Sequence, residues 1–229
     1  MPTACWKHLS FVVEILRELQ PRSVLDVGTG FGKYGFLVRE YLDIYNYRIY
    51  RRDWGVRLEG IEAYQPYLLG HQQQIYDALH VGDACKVIQG LGRYDMVIAG
   101  DVVEHQQKPD ALTLLEAMRV HARSWVLVSI PLGGAWPQEQ YDRNPFEAHR
   151  SQWSPGELRR LGFDVYRFRD EEMRPYCVAL FTHPGARRFR RSQVWLRSLL
   201  HSVGSKVPAV RALHERWQHR GSPAGGPKA

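Results

Sequence analysis

The chain has 229 residues, 44% of them hydrophobic and 24% charged, which suits one α/β domain with attachments and excludes a disordered, collagen-like or fibrous protein. The net charge of +7 is unevenly placed: from residue 184 onward ten Lys and Arg face one acid, Glu215, so the tail carries +9 and the body before it −2. Cys5, Cys85 and Cys177 lie too far apart for a disulfide framework or a paired-cysteine metal knuckle. With no apolar run of about 18 residues and no leader-like start, the expectation is a cytoplasmic protein without a membrane span or signal peptide.

In chain order, Phe11, Val12, Ile15, Leu16 and Leu19 recur at helical spacing and predict an N-terminal amphipathic helix within 1–20, stopped by Pro21. A short apolar run, 23–27, ends in glycines. A helix follows over 33–41, then an insertion rich in Tyr and Arg over 43–55, a strand over 56–61, a helix over 65–78 and a strand over 79–81. Further strands are expected at 94–99, 125–130, 163–168 and 177–182, with helices at 110–121 and 154–161. Ser154 caps the last of these helices and Pro155 takes its first position. This alternation predicts βαβ units and a parallel sheet over 21–183.

Residues 131–153 hold Gly133, Gly134, Pro137 and Pro145 and read as a long loop of the kind that carries function. Residues 184–229 form a basic extension whose polar, Gly/Pro-rich end, 221–229, is expected to fray. Within it Leu196, Leu200, Val203, Val207, Val210 and Trp217 recur among arginines, interrupted by Gly204 and Pro208. The preferred reading is a pair of helices covering the domain or a second subunit; the other is a surface for RNA, lipid headgroups or another anion.

The strongest motif is Asp26-Val27-Gly28-Thr29-Gly30-Phe31-Gly32-Lys33-Tyr34-Gly35, where a strand runs into a loop whose glycines let backbone approach a ligand. Gly30-x-Gly32-x-x-Gly35 also satisfies the dinucleotide pattern, but Asp26 stands where a dinucleotide strand stays apolar and suits a cationic group. The next strand ends in Glu62, followed by Ala63, and a carboxylate there can accept from both ribose hydroxyls of an adenosine. The third ends in Gly82-Asp83-Ala84, where a carboxylate can take the adenine amino group and the following N–H a ring nitrogen. Three acids at three successive strand ends describe a site for an adenosine that carries a positive centre.

On these residues, together with Tyr94-Asp95-Met96-Val97-Ile98-Ala99-Gly100-Asp101, the chain from about 22 to 182 resembles the class I S-adenosylmethionine-dependent methyltransferases. The resemblance implies a Rossmann-like, doubly wound, seven-stranded and mostly parallel sheet with helices on both faces and the last strand antiparallel. It implies S-adenosyl-L-methionine as cofactor, with the glycine loop, Gly28, Thr29, Gly30 and Gly32, toward its aminoacid portion, Glu62 at the ribose, Asp83 and Ala84 at the adenine, and Asp26, Ala63 and Asp101 also among the cofactor-binding residues.

Methyl transfer requires alignment, exclusion of water and, for O–H or N–H acceptors, a base. Asp101-Val102-Val103-Glu104-His105 lies at the ligand edge, and with His149 it resembles a segment of ubiquinone-pathway O-methyltransferases and small-RNA 2′-O-methyltransferases. His105 and His149 are the catalytic candidates. In those branches an acid, Glu-His and a later histidine bind a divalent metal, which makes Asp101, Glu104, His105 and His149 candidate ligands; the reading without a metal is preferred, since Asp101 replaces a glutamate of the RNA enzymes. Tyr34, Tyr64, Trp136, Tyr141 and Trp153 either stack on substrate or close the domain. Cys85 is expected to fill space.

The leading expectation is therefore a methyltransferase acting on an O, N or C nucleophile of a small molecule. The alternatives are an RNA-directed, metal-assisted enzyme and a non-catalytic cofactor-binding partner protein. A monomer and a homodimer both remain open.

Overall fold

A computed structural model describes residues 5–134, 144–170 and 172–190. Trp136, Tyr141 and the amphipathic pattern of the basic extension lie outside the described residues. Residues 1–188 group as one unit and 189–229 as another; the architecture below belongs to the first.

Seven strands build one sheet: β1 (Ser23–Val27), β2 (Arg57–Glu62), β3 (Ala78–Val81), β4 (Tyr94–Gly100), β5 (Ala122–Pro131), β6 (Asp164–Arg169) and β7 (Pro175–Thr182). Their order is β3-β2-β1-β4-β5-β7-β6. Pairings among β1 to β5 are parallel, and β7 runs antiparallel to both neighbours. The chain thus reverses between β1 and β4, and open α/β sheets bind ligands at the strand ends beside such a switch.

The helices are α1 (Leu9–Leu19), α2 (Lys33–Val38), α3 (Gly70–Ile75), α4 (Ala84–Val87), α5 (Lys108–His121) and α6 (Pro155–Arg160). Leu25, Val27, Val97, Ala99, Val126 and Val128 join Ala111, Leu114, Leu115 and Met118 of α5 in one buried cluster. The alternate residues Val24, Met96, Ile98 and Leu127 are buried as well, as expected for a parallel sheet covered on both faces. On α1, Phe11 sets its ring against Tyr166 and Phe168 of β6, centroids 4.7 and 5.4 Å away. A Ser154–Glu157 capping box starts α6.

Three stretches depart from the sequence expectation. The 65–78 helix contracts to a 3-10 turn, Gln65–Tyr67, and α3, because Leu68 and Leu69 are extended, with ψ 104 and 176, and Tyr76 leaves helical geometry with ψ 147. The helix begun by α2 passes into a π-helical turn, Arg39–Asp43, which anchors the insertion. There the buried Arg39 donates to Asp43 and Asp77 and to the Val56 and Ile75 carbonyls, while Asp43 Oδ1 accepts from Arg48 and the Gly55 N–H. Helix α4 was not expected; Asp83 caps it, accepting from the Cys85 N–H at 2.9 Å. No described helix is long and apolar enough to cross a membrane.

Candidate active site

The chain leaves β1 through Gly28, Gly30 and Gly32, with φ of 73, 49 and 92°. At Gly28 both the left-handed backbone and the lack of a side chain are required, since a Cβ would fall 2.4 Å from Val102 Cγ2. The loop therefore sits directly on the chain that leaves β4. It is tied to β2 as well: the Gly28 and Thr29 amides donate to the Ile61 carbonyl at 2.8 and 3.1 Å.

Glu62, at the end of β2, accepts from the Gly30 N–H at Oε2 (2.7 Å) and from the Tyr64 N–H at Oε1 (2.8 Å). The Thr29 hydroxyl also donates to Oε2, at 3.5 Å, so Oε1 is the oxygen that keeps a further lone pair for a ligand. Burial raises its carboxyl above the usual range. Asp26 is enclosed, 1% exposed, with Oδ2 accepting from the Tyr76 hydroxyl. Burial lifts its carboxyl to about 7 against the opposing pull of that bond. The acid that sequence assigns to a cationic ligand thus lies within the support of the loop, and the Tyr76 ring that holds it comes so close to Gly35 that a Cβ there would be 2.4 Å away. Ala63 and Ala84 are half-buried, and Asp83 is exposed at its strand end.

On the side of β4, Asp101 adopts a left-handed φ of 53°, uncommon outside glycine, and is half-buried. Tyr176 donates its hydroxyl to Asp101 Oδ1. Burial raises the Asp101 carboxyl to about 6, opposed by the Tyr176 bond, the Lys33 ammonium and a hydrogen bond from the Cys5 backbone. Glu104 is 1% exposed, and neither carboxylate oxygen has a hydrogen-bond partner among the described residues. Burial and the Asp101 charge push it well above the carboxylate range.

The Glu104 carbonyl accepts from the Arg150 and Ser151 amides at 2.7 and 3.0 Å, which brings His149 to the site. The His105 and His149 rings meet edge-on, centroids 4.9 Å apart. One ligand atom each from Glu104, His105 and His149 falls within 4.8 Å of the others. Asp101, the fourth sequence candidate, is engaged with Tyr176 and does not join that group. His105 is held neutral, lowered to about 4 by burial and then by His149.

Two of the aromatic candidates are enclosed. The Tyr34 hydroxyl lies 2.5 Å from Ser129 Oγ, and Trp153, 1% exposed, carries the Lys108 ammonium 3.5 Å over its ring. Tyr64 is half-buried against Tyr67. Cys85 is half-buried, and burial raises its thiol.

Sequence reasoning missed Tyr67, whose hydroxyl donates to Glu147 at 2.8 Å, and also Tyr76, Tyr176 and His8. Only Glu147 carried a signal, as a neighbour of His149.

No protein-family model matches the sequence, and no curated protein matches it. The fold has many solved counterparts. The 1,6-didemethyltoxoflavin-N1-methyltransferase of Burkholderia thailandensis, crystallised with its substrate and S-adenosylhomocysteine, is 19% identical over 77% of this chain and 76% of that one, with a TM-score of 0.53. The magnesium protoporphyrin IX methyltransferase of Synechocystis PCC 6803 with bound S-adenosylhomocysteine is 17% identical, covers 77% and 82%, and scores 0.52. The methyltransferase domain of bacterial CtHen1 is 19% identical, covers 77% and 97%, and scores 0.50. The architecture is accordingly the Rossmann-like class I methyltransferase fold.

Proposed function

We propose that the chain is an S-adenosylmethionine-dependent methyltransferase whose acceptor is a small molecule with an O, N or C nucleophile. The observation that carries this reading is the row of strand ends at one sheet edge: the glycine loop after β1, Glu62 bonded to that loop through the Gly30 amide at 2.7 Å, and Asp83 after β3. S-adenosylmethionine supplies a methyl on a sulfonium, so that an acceptor lone pair forms the new bond to carbon as the C–S bond breaks, leaving neutral S-adenosylhomocysteine and passing any acceptor proton to a base.

The Glu62 carboxylate takes the ribose hydroxyls, with Ala63 beside it, and Asp83 and the Ala84 N–H take the adenine. Gly28 to Gly32 and Asp101 hold the aminoacid end. Asp26 braces the loop from inside through Tyr76. The His105 and His149 rings, edge-on with centroids 4.9 Å apart, are the candidates to receive the acceptor proton. Calorimetry with S-adenosylmethionine and S-adenosylhomocysteine tests the reading: micromolar binding that Glu62→Ala abolishes supports it, and a folded wild type that binds neither overturns it.

A metal-assisted, RNA-directed enzyme is the second reading, favoured by Glu104. A buried carboxylate with two unpartnered oxygens beside two imidazoles fits a divalent ion, since such a group calls for a cation to offset its desolvation. When bound, the ion would orient acceptor oxygens and lower the pKa of a hydroxyl. A non-catalytic binder, the third reading, is separated by turnover to S-adenosylhomocysteine.

A further inference from the structure

His8 lies outside the sheet, at the entry to α1, and is fully buried. Its ring stacks on Tyr176 with centroids 4.7 Å apart and 20° between the planes. Its Nε2 lies 3.1 Å from the Tyr34 hydroxyl, which reaches Ser129 Oγ. Nδ1 has no partner among the described residues. For filling space alone a phenylalanine would serve without burying an unpaired nitrogen, so packing does not account for the imidazole.

Both tyrosines that His8 holds converge on Asp101. Tyr176 donates to its carboxylate. Tyr34 lies so close to Gly100 that a Cβ there would be 1.9 Å from its ring, which fixes the backbone immediately before Asp101. A left-handed aspartate persists only where its surroundings over-determine it, and these two contacts, together with the Cys5 backbone bond to the carboxylate, supply that constraint. Lys33, the first residue after the glycine loop, acts on Asp101 as an opposite charge.

We propose that His8 is a positioning residue: through Tyr176 and Tyr34 it aims the Asp101 carboxylate at the ammonium of the cofactor's aminoacid end. A segment before β1 thereby becomes part of the cofactor site. This rests on the cofactor reading above.

The test compares S-adenosylhomocysteine with 5′-methylthioadenosine, which keeps the adenosine and thioether but lacks the aminoacid end. By calorimetry His8→Phe, which retains the stack, lowers S-adenosylhomocysteine affinity about tenfold, the scale of one misaimed charge-assisted hydrogen bond, and leaves methylthioadenosine affinity within about twofold. Asp101→Asn does the same, and His8→Phe adds nothing in that background. Tyr176→Phe, which removes only a hydroxyl, is the second variant should His8→Phe fail to fold, and it carries the same expectation. Equal loss for both ligands, or losses that add in the double variant, would overturn the proposal while leaving the cofactor reading intact. A wild type that binds neither ligand overturns both.

Discussion

The Tyr76 hydroxyl donates to Asp26 Oδ2 at 2.5 Å, joining the residue that ends α3 to the carboxyl end of β1 across 50 positions of sequence. The bond makes Asp26 a strut of the glycine loop. Tyr76→Phe leaves a fully buried carboxyl without its donor, at a cost of about 1–3 kcal/mol. Urea denaturation at pH 8 should show that loss.

Asp26 also confers a pH dependence of definite sign. Its folded pKa, about 7, lies above the ordinary 3.8, so the fold prefers the protonated acid. The stability this contributes is complete below about pH 4 and is lost as pH rises through 7. Asp26→Asn still accepts from Tyr76 and carries no charge. It should be about 1–3 kcal/mol more stable than wild type at pH 8 and little different at pH 4, measured by denaturation without ligand. A pH-independent difference between the two proteins would contradict this account of Asp26.

What was legible in the sequence was local. The glycine loop, Glu62 and Asp83 each sit where a strand ends, and strand ends announce themselves through apolar runs broken by Gly and acids. Alternation of elements gave the sheet for the same reason. The contacts that hold the site were not local: Tyr76 reads as one more residue of a helical stretch until its ring is seen under the loop, and Tyr176 meets Asp101 across 75 residues. Asp26 shows the limit most plainly. An acid at a strand end is the same letter whether it faces a ligand or a tyrosine.

Arg39 offers a separate test of the insertion. Its guanidinium donates to Asp43 at 2.9 Å and to Asp77 at 2.8 Å, with the Trp54 ring 4.3 Å away. Arg39→Met keeps much of the stem but takes one of two guanidinium partners from the buried Asp43, which keeps Arg48 and the Gly55 N–H, so the loss should fall below the roughly 3–5 kcal/mol of a buried pair broken from one side. Asp43→Asn alongside it should add to that loss and not recover it, because the carboxylate still pairs with Arg48 at 2.9 Å. A thermal melt of the single and double variants measures both.

Glu104 separates the two enzymatic readings. If the Glu104, His105 and His149 cluster takes a divalent ion, Mn²⁺ at a hundredfold excess over its dissociation constant raises apparent stability by about 2.7 kcal/mol. Glu104→Gln should abolish that shift and leave binding of S-adenosylhomocysteine intact. No Mn²⁺-dependent shift in the wild type removes the metal-assisted reading and leaves the proton to the histidine pair.

His8 bounds stability on the acid side, in the opposite sense to Asp26. Burial, then the charge of Lys33, lowers it from 6.5 to about 3, so the folded state holds it neutral while the unfolded chain protonates it near 6.5. The stability this represents is present above about pH 6.5 and is lost as pH falls toward 3. His8→Phe has no such proton to take up. Relative to its own value at pH 7, the variant should lose less stability on acidification to pH 4 than wild type does, by about 1–3 kcal/mol. The two limbs are independent because they belong to different groups: Asp26→Asn flattens the rise toward acid and His8→Phe the fall. Parallel acid limbs in wild type and His8→Phe would place the His8 ring in contact with water and remove the buried stack on Tyr176 from which its positioning role is argued.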